Sequence, residues 1–159
     1  MRVIEIETGR HVELEVADGR FSDIAEAGPA GEADGWVLPG LVDVHNHLSL
    51  ASPAGDGAEP GERVRASASL EMALGVLALR EPGSPDDASA ALAGEPGWPL
   101  VITAGRFLAP PGGYFPGLAR EVDEAGLAGA AEQEAARSGG WAKIIGEWPG
   151  LVSAGPENS

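Results

Sequence analysis

Two histidines separated by one residue, His45 and His47, follow a short apolar run and are the residues best suited to chemistry in this chain. In an extended strand, residues i and i+2 project to the same face, so these two imidazoles can point at one position in space. Neutral imidazole is the commonest side-chain ligand for zinc and related metals. The spacing therefore predicts a pair of metal ligands, and the alternative interpretation is two packed or solvated histidines.

The residues before this pair carry a family resemblance. Pro39-Gly40 marks a turn, and Leu41-Val42 with Val44 indicates a buried strand. The whole segment Pro-Gly-Leu-Val-Asp-Val-His-Asn-His, residues 39–47, resembles the first barrel strand of the amidohydrolase superfamily. The resemblance implies that His45 and His47 are metal ligands in a metal-dependent hydrolase.

Lys143 is the only lysine in the chain. Its surroundings, Ala142-Lys143-Ile144-Ile145, resemble the fourth-strand run in which amidohydrolases carry a lysine that reacts with carbon dioxide to form a metal-bridging carbamate. A desolvated amine can lose its proton and attack carbon dioxide, whereas a guanidinium stays charged. The alternative is an ammonium that reaches water from a strand end. The resemblance implies Lys143 as a third metal ligand and a divalent metal, expected to be zinc, with one or two ions in the complete enzyme.

Two further segments resemble the family less specifically. Residues 75–83 are similar to its second strand, and Arg80 there either faces the pocket or pairs with Glu81 or another carboxylate. Residues 103–114 are similar to the third strand and loop of imidazolonepropionase-like and dipeptidase-like members. Loops at the C-terminal ends of barrel strands line active sites, so Tyr114 is a candidate substrate contact, unless it only packs with Phe115.

The elements that must position these residues fall into two parts. Alternating runs at 3–7 and 12–16, with turns at 8–10 and 18–20, predict antiparallel hairpin strands. Residues 1–37 thus form a small β module, in which His11 is expected at the surface. From residue 38 onward, strands alternate with helices, which favours a parallel sheet. The predicted strands are 41–44, 76–79, 100–103 and 141–145, the predicted helices are 61–74, 84–92 and 118–137, and a long loop covers 105–117.

This alternation predicts an α/β fold: the N-terminal portion of a (β/α)8 TIM barrel, about four strands, preceded by a small β-sandwich module. Residues 1–37 would be the N-terminal part of that composite sandwich, and 38–159 the first half of the barrel, truncated after strand 4. A complete barrel needs about 250 residues, whereas this chain has 159. No catalytic residue is identified, because the resemblance implies that the general-base aspartate and two more histidines lie beyond residue 159.

Composition excludes several function classes. The net charge is −15, from 10 basic and 25 acidic residues, which argues against a nucleic-acid partner. Without cysteine there is neither a disulfide nor a thiolate metal site. No apolar run is long enough for a membrane span or a signal-peptide core. We therefore expect a soluble, cytoplasmic protein without a membrane partner.

Two functions follow from the sequence. The first is an amidohydrolase that uses a metal-activated hydroxide to attack carbon–nitrogen bonds other than ordinary peptide bonds, with an amide, cyclic amide or dipeptide-like small molecule as substrate. As an N-terminal fragment, it is expected to be inactive alone. The alternative is a non-catalytic half-barrel remnant that binds metal or self-associates. Open barrel edges also predict homo-oligomerisation or aggregation.

Overall fold

The computed structural model describes residues 1–28 and 31–146, which divide into two compact units with the boundary after Gly40. The first unit holds one sheet with the strand order β3-β2-β1-β4. β1 pairs antiparallel with β2, β2 pairs antiparallel with β3, and β4 runs parallel to β1. The strands are β1 (Arg2–Glu5), β2 (His11–Ala17), β3 (Arg20–Glu26) and β4 (Gly35–Val37).

The predicted hairpin at Asp18-Gly19 is present in this unit. Both residues adopt positive φ, 51° and 70°, which is the conformation that a two-residue turn between twisted strands requires. Alternation buries Val3, Val12 and Leu14 on one face. The described part of this unit is a single sheet, so the predicted sandwich stays a prediction.

Parallel strands and helices make up the second unit, which confirms the mixed α/β prediction. Its first sheet has the order β5-β6-β7, with both pairs parallel. Leu48, Val64, Ala68, Leu79, Leu92 and Val101 form one buried cluster between this sheet and its helices. The elements are β5 (Leu41–Asp43), α1 (Pro60–Ala73), β6 (Val76–Glu81), a 3₁₀ helix (Ala88–Leu92) and β7 (Leu100–Thr103).

A second parallel sheet follows, with the order β10-β8-β9. It contains β8 (Phe107–Ala109), β9 (Ala119–Glu121), α2 (Glu124–Ser138) and β10 (Lys143–Ile144). The third predicted strand, 100–103, is β7, and after residues 104–106 the chain adds β8, which pairs with the strand that carries Lys143. Two three-stranded sheets therefore stand where one sheet of four strands is predicted.

Three predicted elements are wrong in detail. The loop predicted over 105–117 contains β8, whose three residues are all buried. Gly105 before it and Pro110-Pro111-Gly112 after it are typical of a loop and obscure this short apolar strand. The helix predicted from 118 begins at Glu124, since Asp123 caps it by accepting a hydrogen bond from the Gly126 amide at 2.8 Å. The helix predicted over 84–92 is reduced to the 3₁₀ helix, because Ser84 instead bridges to Arg106.

One face of the β5-β6-β7 sheet is apolar and exposed. Strand register places Leu100 beside Ala78 and Ile102 beside Arg80, opposite to the face that is buried in the core. Val42, Leu100 and Ile102 are exposed on this sheet. No helix within the described residues is long and apolar enough to cross a membrane.

Candidate metal site

The two histidines lie just after β5, which ends at Asp43, and not within the strand as predicted. Asp43 organises the segment: its Oδ1 accepts a hydrogen bond from the His45 amide at 2.9 Å, and its Oδ2 accepts one from Asn46 Nδ2 at 2.9 Å. These hydrogen bonds lower the pKa of Asp43, that from Asn46 most. The backbone N–H of Asn46 also donates a hydrogen bond to the carbonyl oxygen of Arg80 at 3.0 Å. A side-chain-stabilised turn therefore presents the histidines.

The imidazoles of His45 and His47 are neighbours, although both residues lie after the end of β5. Their ring centroids lie 5.2 Å apart, with an angle of 82° between the ring planes. His47 Nδ1 lies 2.8 Å from the carbonyl oxygen of Gly83. Because a carbonyl only accepts hydrogen bonds, Nδ1 carries the proton and Nε2 keeps a free lone pair, which is the usual arrangement of a metal-binding histidine.

Burial lowers the pKa of His47, and the positive charges of His45 and Lys143 lower it further, against the opposing effect of the hydrogen bond to Gly83. A lowered pKa favours the neutral imidazole at neutral pH, which is the form that binds metals.

Lys143 enters this region from β10, where it pairs with Phe107 of β8. Gly83 is the point of closest approach: a β-carbon built on it would lie 2.7 Å from Phe107 Cδ1 and 3.0 Å from Lys143 Cβ. Its φ of +99° also favours glycine. Among the described residues, no carboxylate lies within ion-pair distance of Lys143.

The other candidates take different places. Tyr114 packs on Phe107 and Phe115, with centroid distances of 5.4 and 5.1 Å, and Phe107 in turn contacts His47 at 5.4 Å. Packing of Tyr114 is therefore shown, and substrate contact stays a prediction. The guanidinium of Arg80 lies 4.4 Å from the ring centre of Trp141. No salt bridge among the described residues includes Arg80, so its predicted pairing with Glu81 or another carboxylate is not seen there.

His11 lies in β2 of the first unit and is partly buried.

Glu81 is the residue that the sequence analysis missed. Its side chain is fully buried, and its Oε1 accepts a hydrogen bond from the Leu48 amide at 3.0 Å. Burial raises the pKa of Glu81 from the ordinary 4.5 to about 7, and the charge of Asp86 adds to this effect, whereas the nearby Ser89 hydroxyl and the hydrogen bond from the Leu48 amide oppose it. An acidic residue in a strand with a buried face was the available signal.

This raised pKa gives a prediction for stability. Because the folded chain keeps the Glu81 proton up to about pH 7 while the unfolded chain releases it near 4.5, the stability that this group contributes is lost as the pH rises through that window. The loss is on the order of 3 kcal/mol. We expect urea unfolding of zinc-free protein to show this fall in the wild type and not in Glu81→Gln. Parallel stability curves from pH 4.5 to 7.5 would contradict it.

The residues present fit part of a zinc site. Among the described residues, no three His, Cys, Asp or Glu side chains lie together as a metal-binding group. Among the described residues, the candidate ligands are the imidazoles of His45 and His47 and the side chain of Lys143, and the His47 ring is already oriented by the Gly83 carbonyl. Zinc takes four ligands, so further ones are required to complete a site.

Comparison with known proteins shows relatives of unassigned function. No family model matches the chain. Uncharacterized proteins of Mycobacterium bovis and Mycobacterium tuberculosis are 40% identical over 139 residues, which is 86% of this chain and 36% of each relative. The chain thus spans about a third of the length of the curated relatives that it matches.

Solved structures resemble the chain more informatively. A prolidase crystallised with N-methylphosphonate-L-proline aligns with a TM-score of 0.55 and 20% identity over 90% of this chain and 44% of the prolidase. A protein described as an amidohydrolase aligns with a TM-score of 0.55 and 18% identity over 86% of this chain and 41% of its own. At such identities the likeness shows the fold alone. The chain shares its mixed α/β fold with part of each of these two proteins.

Proposed function

We propose that this chain is the N-terminal part of a metal-dependent amidohydrolase, with His45, His47 and Lys143 as its metal ligands. The observation that carries the proposal is the convergence at Gly83. The Gly83 carbonyl orients the imidazole of His47, and the Gly83 α-carbon packs against the side chain of Lys143. Two residues that are 96 positions apart in the sequence meet at one glycine, beside a second histidine.

Lys143 would act as a carbamate. Its uncharged Nζ forms a bond to the carbon of carbon dioxide, the nitrogen loses a proton to solvent, and the product is an anionic carbamate with two oxygen donors. The positive charge of a neighbouring metal would favour this anion, and so would the absence, within the described residues, of a carboxylate paired with Lys143. Divalent zinc, as one or two ions, would supply an activated water and would polarise the scissile carbonyl.

The proposed substrate is a small molecule with a carbon–nitrogen bond other than an ordinary peptide bond: an amide, a cyclic amide or a dipeptide-like compound. The fold shared with a prolidase that binds a proline-containing phosphonate supports this class. Tyr114 is proposed as a substrate contact, because its ring adjoins Phe107, which contacts His47. The general-base aspartate and the remaining ligands would come from a further part of a longer protein.

Carbon-13 NMR tests the proposed carbamate. Because Lys143 is the only lysine, the chain in ¹³C-bicarbonate and zinc should give one zinc-dependent carbamate resonance, apart from that of the terminal amine. Lys143→Arg should remove it. A spectrum that is identical for the wild type and Lys143→Arg would contradict the proposal.

With the ligand set incomplete, the zinc-loaded chain should show no measurable hydrolysis of amides, cyclic ureides or dipeptides. Metal-dependent turnover would show that this chain needs no further residues.

A self-associating half-barrel is the second candidate, favoured by the exposed apolar side chains of Val42, Leu100 and Ile102. Exposed apolar patches and open sheet edges promote association between chains. Size-exclusion chromatography with light scattering distinguishes a monomer from a self-associated chain. A monomer at every concentration would remove this candidate.

A further inference from the structure

We propose that residues 81–83 form a clamp that positions His47 against Lys143, with the buried carboxyl group of Glu81 as its anchor. The inference deepens the proposed function and rests on it for its significance. Glu81 is a positioning residue here, because its side chain lies on the core side of β6 and contacts the backbone after His47, not the ligand atoms.

The first contact of the clamp fixes the backbone. Glu81 Oε1 accepts a hydrogen bond from the Leu48 amide at 3.0 Å, and both residues are fully buried. The amide that follows His47 therefore has its partner on the neighbouring strand and not in water. Removal of that acceptor leaves a buried N–H unpaired, which the segment can relieve only by moving.

The second contact fixes the ring. The carbonyl of Gly83, two residues after Glu81, lies 2.8 Å from His47 Nδ1. A tight turn links the two contacts, because the Gly83 amide donates to the Glu81 carbonyl at 2.8 Å. The same carbonyl accepts the Ala104 amide at 2.9 Å, which ties the turn to the end of β7. The clamp thus holds the ring and the backbone of His47 from one short segment.

The third contact sets the position of Lys143. Without a side chain, Gly83 lets Phe107 and Lys143 approach so closely that an added β-carbon would be 2.7 Å from the phenyl ring and 3.0 Å from Lys143 Cβ. Gly83 therefore contacts both proposed ligands: its carbonyl oxygen orients His47, and its α-carbon packs against Lys143.

A purely packing role for Glu81 does not explain its chemistry. An apolar residue of similar size would fill the same space beside Leu48 and Leu79 without the free-energy cost of burying a carboxyl group. Only an oxygen atom at this position can accept the hydrogen bond from the Leu48 amide. The clamp therefore predicts that glutamine substitutes for Glu81, whereas alanine and aspartate do not.

The test follows the tautomer of His47 by ¹⁵N NMR in zinc-free protein, with the ring signals assigned from His45→Ala, His47→Ala and His11→Ala. We expect the wild type and Glu81→Gln to hold the Nδ1–H form. Glu81→Ala and the shorter Glu81→Asp should give a mixture of tautomers and a zinc affinity about 10- to 100-fold weaker, as is typical when an outer-shell partner is lost. Glu62→Ala, an exposed change on α1, is the matched control.

The outcomes separate the clamp from the metal site. If Glu81→Asp keeps the Nδ1–H form of His47 and the wild-type zinc affinity, the clamp is overturned. Loss of the Nδ1–H form in a folded Glu81→Gln would overturn it as well. If Glu81→Ala fails to fold, Glu81→Asp and Glu81→Gln still decide the question. A wild-type chain that binds no zinc but shows the expected tautomer changes would overturn the proposed function and leave the clamp standing.

Discussion

We expect the replacement of His47 by alanine to remove zinc binding from this chain. The imidazole of His47 is the best-prepared ligand in the structure, since its Nδ1 is engaged by Gly83 and burial lowers its pKa. Loss of a ligand itself should weaken the affinity by more than the 10- to 100-fold typical for loss of an outer-shell partner. Isothermal titration with zinc near pH 7.5 measures the effect, and weak, roughly stoichiometric binding is expected for the wild type.

The third histidine of the chain provides the matched control. His11 lies in β2 of the other unit, so His11→Ala should bind zinc like the wild type. Excess magnesium in the titration suppresses adventitious binding to the acidic surface, because magnesium prefers oxygen ligands. Equal zinc affinities for His47→Ala and His11→Ala would show that the metal binds elsewhere.

Replacement of Glu134 by alanine should destabilise the fold by about 2–4 kcal/mol. This fully buried carboxylate of α2 accepts hydrogen bonds from Arg120 Nη1 and from the Arg106 amide, both at 3.0 Å. Arg137 lies 3.6 Å from the same carboxylate. The alanine variant leaves the amide without its acceptor, while both guanidinium groups can reach water, which moderates the loss.

Urea unfolding measures the change, with Glu132→Ala as the control because that residue is exposed on the same helix. Glu134→Gln should fall between the wild type and Glu134→Ala, since it keeps an acceptor but loses the charge. A Glu134→Ala curve that superimposes on that of Glu132→Ala would mean that the buried network contributes nothing to the free energy of unfolding.

Local patterns predicted those regular elements whose boundaries carry strong sequence signals. The helix predicted at 61–74 is α1, Pro60–Ala73, because Pro60 near its start and Gly75 after its end are strong boundary signals. The Asp18-Gly19 hairpin was equally readable, since few residues tolerate positive φ there. The mixed α/β class followed from the alternation of strands and helices.

Interactions between distant residues could not be predicted. Phe107–Ala109 is a strand because β10 and β9 lie on either side of it, and nothing within residues 105–117 specifies those partners. Alternation within a strand predicted that His45 and His47 share a direction, but the Asp43 turn determines where the rings lie. The sequence does not predict the contact that Glu81 makes, because its partner, the Leu48 amide, is 33 residues away.

An anomalous-difference map at the zinc edge, from a zinc-soaked crystal of this chain, tests the proposed metal site most directly. We expect a peak between His45, His47 and Lys143, with Nε2 of His47 at about 2.0–2.1 Å from the metal. Zinc bound only at surface carboxylates, with His47 still hydrogen-bonded to Gly83 and no density beside its Nε2, would contradict it.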